Sequence, residues 1–267
     1  MVLPVGDVNP TRRRAVVTVL LVLANLLVYV LAQAPLAGCA EEAFILEWAA
    51  VPRELLSFRQ LSDSQLGALL SPSCDVGVVD DKNVVVSAFS AMFLHGNLAH
   101  LGGNLLFLWV FGNNVEDRLG HLRYLLFYVV GGLAATYAFA LLNPDSTVPL
   151  LGASGAIAAI LGAYLVMYPR AWVHTYVPFP LYVLAWIIPG ARITAWFLIF
   201  AIVTLPAWLV LGAWFGLQVL ATRSPVTDNV AYAAHVAGFV AGIALVLLLD
   251  RRHERRGEPT YRPARTR

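Results

Sequence analysis

Ser154 lies in the run Gly152-Ala153-Ser154-Gly155, at the head of an apolar stretch from Ala156 to Tyr168 that ends at Pro169-Arg170. Flanked by small residues at a helix start, its hydroxyl can be approached closely by another backbone, and the free N–H groups of the first turn can hold an anion. The chemistry this allows is nucleophilic attack, provided a base removes the serine proton. His235 is the available base, because imidazole titrates near neutrality. His100 and Asn104 stand four residues apart, so on one helix both can donate to a single oxygen. With the Ser154 N–H they would form an oxyanion hole, in which one donor contributes about 3–4 kcal/mol of transition-state stabilisation. No acid falls within the apolar spans to orient His235, so the sequence points to a Ser/His dyad, a variation on triad logic. An isolated Gly-x-Ser-Gly more often marks helices that pack closely; here the accompanying polar groups favour catalysis.

The elements that must position these groups are membrane spans. A chain of 267 residues that is 59% hydrophobic and 13% charged is too apolar for a soluble domain and reads as one polytopic membrane protein. Its net charge of +2 and basic residues gathered at span edges give no sign of nucleic-acid binding. Residues 1–14 form a polar tail ending in Arg12-Arg13-Arg14, and Ala15 to Ala34 is an apolar run long enough to cross the bilayer. A cleaved signal peptide is the alternative, since Leu36-Ala37-Gly38-Cys39 resembles a lipid-attachment box, but the run is longer than a signal core and further spans follow. Residues 35–90 form a long polar outer loop holding Cys39 and Cys74, either free thiols or, as we expect on an oxidising side, a disulfide. Further spans are expected at about 98–115, 124–142, 154–169 and 230–249, with one more somewhere in 194–221 and the Pro-broken segment 175–189 lying at the interface. Arginines cluster at 12–14, 118–123, 170, 192 and beyond 250, while the acids concentrate in the outer loop. The positive-inside rule then gives six spans with both termini cytoplasmic in a cell (plasma or inner) membrane.

Depth supports the grouping. Ser154 to Tyr168 and His235 to Leu249 are each 15 residues, roughly 22 Å of helix above the cytoplasmic edge. Asn104 and His100 fall within about a turn of that level. Polar groups so deep face a bundle interior or a wet cavity. Gly238 and Gly242 form a Gly-x-x-x-Gly ridge below His235, and Gly155, Ala159 and Gly162 give the serine helix a similar low surface, so the two can pack with close backbones.

With these motifs in hand, the sequence resembles the rhomboid family of intramembrane serine proteases, in its bacterial form, over about Met92 to Leu249. The resemblance rests on His95-x4-His100-x3-Asn104, Gly112-x3-Glu116-x3-Gly120, Gly152-Ala153-Ser154-Gly155 and Ala234-His235-x2-Gly238-x3-Gly242. It implies Ser154 as nucleophile, His235 as general base, and His100 and Asn104 at the oxyanion. It also implies that His95 holds the outer loop and Glu116 the turn between the second and third spans. The fold it implies is an all-α, six-transmembrane-helix bundle whose fourth helix starts mid-membrane. Where many relatives carry Trp-Arg in the outer loop this chain has Val86 and Ser87. Where some carry an aromatic against the base it has Ala158, leaving Tyr232 as the support for His235.

The resulting expectation is a tail at 1–14, a membrane domain at 15–250 (loop 35–90, core 98–249) and a basic cytoplasmic tail at 251–267. The expected activity is hydrolysis of peptide bonds in or near the transmembrane segment of a single-span protein within the lipid bilayer, with no metal or organic cofactor. A catalytically inactive rhomboid-like protein that binds membrane helices for trafficking or quality control is the alternative. Such a protein would lack the serine or the histidine, and both are present.

Overall fold

A computed structural model of the chain describes residues 3–75, 77, 81–178, 200–223 and 231–249. Residues 179–199, which hold most of the Pro-broken segment, and the arginines beyond 250 lie outside them. The first apolar run is helix α1, Val16–Leu27, extended by a π-helical segment, Val28–Gln33. Four short helices follow: α2 (Cys39–Trp48), α3 (Pro52–Ser57), α4 (Asp63–Gly67) and α5 (Val84–Ser90). The bundle continues with α6 (Leu98–Leu119), α7 (His121–Leu142), α8 (Ser154–Met167), α9 (Ala207–Ala221) and α10 (Tyr232–Leu249). Three helices are long and apolar enough to cross a membrane, Val16–Gln33, His121–Leu142 and Tyr232–Leu249. A fourth candidate is the pair Val84–Phe93 and Leu98–Leu119, bent by 80°. Helices α8 and α9 are apolar but shorter.

Helix α8 is the axis of the bundle. Every residue from Ala156 to Tyr164 is buried, as expected of a helix that is apolar all round. Helices α6, α7 and α10 surround it, with Phe111, Tyr124, Tyr128 and Phe239 filling the core. Helix α6 starts where the Asn97 side chain accepts the His100 N–H at 2.8 Å, a side-chain N-cap. It ends at Gly120, whose φ of +79° favours glycine and lets α7 begin at once.

Two parts of the fold differ from expectation. First, the chain is mostly helical but not all-α. Strand β1 (Leu3–Asp7), β2 (Trp172–Pro178) and β3 (Phe200–Pro206) form an antiparallel sheet in the order β1-β2-β3. It lies where α8 ends and α9 begins. Residues expected to be a polar tail are thus an edge strand, with Leu3 paired to Tyr176 and Asp7 to Val173. Asp7 Oδ2 accepts hydrogen bonds from Tyr164 Oη at 2.6 Å and Asn114 Nδ2 at 2.7 Å, tying β1 to α8 and α6. Burial raises the Asp7 pKa, and these donors offset only part of the rise.

Second, the outer loop is a folded layer. Leu46, Val51, Leu61, Leu66 and Leu70 form a small core of their own. Lys82 is buried and pairs with Glu54 at 2.6 Å while donating to the carbonyls of Leu46 and Ala49. Burial lowers the Lys82 pKa, partly countered by Glu54. Cys39 and Cys74 are joined by a disulfide. Glu42 accepts from the Ser71 hydroxyl and backbone N–H, which lowers its pKa. Ala50 and Leu150 exchange backbone bonds of 3.0 and 2.7 Å, docking this layer on the segment that leads to Ser154.

Candidate active site

Ser154 is the first residue of α8, and the turn before it needs a glycine. Gly152 has φ +122°, a region that L side chains rarely adopt. Its N–H donates to Ala91 O at 2.8 Å. A Cβ at Gly152 would lie 2.9 Å from the Cε1 and Nε2 atoms of His100, so the missing side chain is the space the imidazole occupies. Ala153 provides no side-chain cap to α8, which leaves first-turn N–H groups available to an oxygen beside Ser154.

Helix α10 brings His235 to this point. Along the seam a Cβ on Gly238 would overlap the Gly155 carbonyl, one on Gly242 the Ala159 carbonyl, and one on Gly162 the Phe239 carbonyl. The helices touch backbone to backbone, the approach small residues permit in a membrane. Gly155 also lets α7 come close, its Cβ position lying 2.7 Å from the Ala135 side chain. The consequence is a contact of 2.8 Å between His235 Nε2 and Ser154 Oγ. Both residues are half-buried.

The Gly96 N–H donates to His100 Nδ1 at 3.5 Å; with its proton on Nε2, the nitrogen beside Gly152, the ring can donate to an oxygen there. Asn104, one turn along α6, is 8% exposed, and its Nδ2 makes no hydrogen bond to any described residue. A buried amide donor without a partner is costly unless something else accepts from it. The oxygen of a bound carbonyl would do so.

His95 is fully buried, its ring centroid 5.2 Å from that of His100 and nearly perpendicular to it. Its backbone is held from the π-helical end of the first span: Gln33 Oε1 accepts the His95 N–H at 3.0 Å, and Gln33 Nε2 donates to the His95 carbonyl. Glu116 sits at the other end of α6, fully buried. It accepts from the Val17 and Thr18 N–H groups at 2.8 Å and from Thr18 Oγ1 at 2.7 Å, and bonds His121 Nδ1 at 2.6 Å. It thereby caps α1 with a carboxylate and joins the α6–α7 turn. Gln33, Thr18 and His121 were not singled out from sequence.

The most consequential residue missed is Gln218 on α9, whose Oε1 lies 2.8 Å from His235 Nδ1. The ring is also flanked by Trp214 at 6.2 Å and by Tyr232 at 6.3 Å, the latter edge-on. Tyr232 is near the base, as expected, but the polar contact comes from elsewhere. Ala158 is fully buried in the α8 core. Cys39 and Cys74 lie in the outer layer, away from the dyad. Among the described residues no three or more His, Cys, Asp or Glu side chains group to hold a metal ion.

The family model for the rhomboid domain matches residues 82–252, more than half of the chain. Rhomboid protein 1, mitochondrial, of Saccharomyces cerevisiae is 31% identical over 163 residues, 59% of this chain and 40% of that protein. Rhomboid protease GluP of Bacillus subtilis is 43% identical over 72 residues, 27% of this chain and 14% of its own. Rhomboid protease GlpG of Salmonella choleraesuis is 26% identical over 164 residues, 60% and 47% respectively. The matched part thus spans less than half the length of these curated relatives.

Proposed function

The chain belongs to the rhomboid family of membrane proteins, and on that premise we propose that it is an intramembrane serine endopeptidase working through Ser154 and His235. The observation that carries this reading is the 2.8 Å contact between Ser154 Oγ and His235 Nε2. The Nε2 lone pair takes the hydroxyl proton as Oγ attacks the scissile carbonyl. The tetrahedral oxyanion accepts from His100 Nε2–H, Asn104 Nδ2–H and the Ser154 N–H. The imidazolium returns its proton to the leaving amine, giving an acyl-enzyme. Water, deprotonated by the same ring, then releases the acid and restores the serine.

The substrate proposed is the transmembrane segment of a single-span protein, entering from the lipid. Its helix must unwind locally, because a scissile carbonyl engaged in helical hydrogen bonding is not presented to Oγ. The topology proposed has six spans, with α8 and α9 counted beside the four longer candidates, in a cell membrane with both termini cytoplasmic. At 14 residues α8 is about 21 Å long, so Ser154 begins it inside the bilayer. His95 and Glu116 act as supports of the outer layer and of the α6–α7 turn.

The test is cleavage of a single-span substrate in liposomes by wild type, Ser154→Ala and His235→Ala at equal protein. Loss in both variants is the expected result. Cleavage that survives Ser154→Ala overturns the mechanism, and stable capture of uncleaved substrate by the wild type favours a helix-binding protein.

A further inference from the structure

Helix α9, Ala-Trp-Leu-Val-Leu-Gly-Ala-Trp-Phe-Gly-Leu-Gln-Val-Leu-Ala, contains one amide side chain and no charged one. An amide in so apolar a helix is costly to desolvate unless it is hydrogen-bonded. Gln218 makes its bond to the base, with Oε1 2.8 Å from His235 Nδ1 while the opposite ring nitrogen stands 2.8 Å from Ser154 Oγ. The three side chains come from three helices and lie in series.

We propose that Gln218 is the positioning residue of this enzyme, fixing the tautomer and ring orientation of His235 through its amide oxygen; the proposal rests on the Ser154/His235 dyad. A neutral imidazole carries one N–H. With the proton on Nδ1 donated to Oε1, the Nε2 lone pair faces the serine hydroxyl and can accept its proton. The other tautomer would point Nε2–H at Ser154 and could take nothing from it. Proton transfer selects the same amide orientation. The imidazolium has two N–H groups, and only the oxygen end of Gln218 can accept the one on Nδ1, since the NH2 end would oppose it donor to donor. Gln218 thus occupies the place of the third member of a triad with a dipole in place of a carboxylate. A dipole orients the ring but raises its basicity less than a negative charge would.

The experiment uses the full chain in liposomes with a single-span substrate and compares wild type, Gln218→Met, Gln218→Glu and Ser154→Ala. Methionine keeps length and helix propensity but offers no strong acceptor. The expected result for Gln218→Met is a fall in kcat of about 10-fold or more with KM within about two-fold, the pattern of an interaction that serves only the transition state. Gln218→Glu restores the acceptor, so kcat recovers at alkaline pH, and the acid limb of the pH profile moves up because the carboxylate favours the imidazolium. Wild-type kcat in Gln218→Met, or an unmoved acid limb in Gln218→Glu, overturns the assignment. Should Gln218→Met fail to fold, the acid limb of Gln218→Glu decides alone. Cleavage by Ser154→Ala removes the dyad, and this proposal with it; an inactive Ser154→Ala beside a fully active Gln218→Met removes only Gln218.

Discussion

The α8–α10 seam and the outer layer of residues 35–90 are held together by opposite means. At the seam there is almost no side chain: Gly238 and Gly242 lie on the backbone of Gly155 and Ala159. In the outer layer the contacts are those of a small water-exposed domain, with a leucine core, the Cys39–Cys74 disulfide and the buried Lys82–Glu54 pair. The difference follows from solvent. Between helices in lipid, burying apolar area brings little gain, so close van der Waals contact between small residues decides the geometry. A short polar layer has apolar burial to exploit but too little of it, and adds covalent and ionic ties. The seam therefore sets the Ser154–His235 geometry, and the outer layer sets how firmly the lead-in to Ser154 is held.

Substitutions can break that contrast in order of size. Gly242→Leu has the largest expected effect: the side chain has no space, the helices separate, and a displacement of about 1 Å at His235 costs on the order of 100-fold in rate. Cleavage by Gly242→Leu within a few-fold of wild type would mean that the seam does not set the geometry. Lys82→Met comes next, leaving Glu54 buried and uncompensated at a cost of about 3–5 kcal/mol. Its unfolding midpoint should drop, and adding Glu54→Leu should restore much of the loss. The kcat of the folded fraction is expected to stay near wild type, which denaturant titration followed by kinetics would check. Replacing Cys39 and Cys74 together by serine should cost about 2–4 kcal/mol. Proteolytic cuts should then open within 35–90 while the bundle stays intact.

The smallest effect concerns Asp7, at the far end of the bundle. Its pKa is raised by burial, so the folded chain binds its proton more tightly than the unfolded chain does. The stability it contributes is present below the unfolded pKa and is lost as pH rises through the folded value. As pH rises from the ordinary aspartate value of about 4 through the raised folded value, the wild type should lose stability relative to Asp7→Asn. Parallel thermal midpoints for the two proteins would contradict this.

Much of the candidate site was legible because its residue types are rare in so apolar a chain. Ser154, His235, His100 and Asn104 stand out in an apolar chain, and the glycine spacing named the two helices that touch. Gln218 was equally out of place on α9, but nothing in sequence said which face of that helix would meet His235. The sheet was hidden for a different reason. Leu-Pro-Val-Gly-Asp in β1 contains the residues least expected in a strand, and its partner is about 170 positions away. Trp172 to Pro178 is β-branched and aromatic, a strand signature easily read as interfacial membrane sequence. Likewise the acids of the outer loop signalled polarity, while the burial of Glu54 against Lys82 depends on tertiary contacts that composition does not contain.

The most direct test of the central claim is to label the protein with a fluorophosphonate, which phosphonylates a serine whose proton a base removes, and to locate the adduct by mass spectrometry. The account predicts an adduct on Ser154 in the wild type and none in His235→Ala. Equal labelling in the two proteins, or none at Ser154 in a folded wild type, would contradict it.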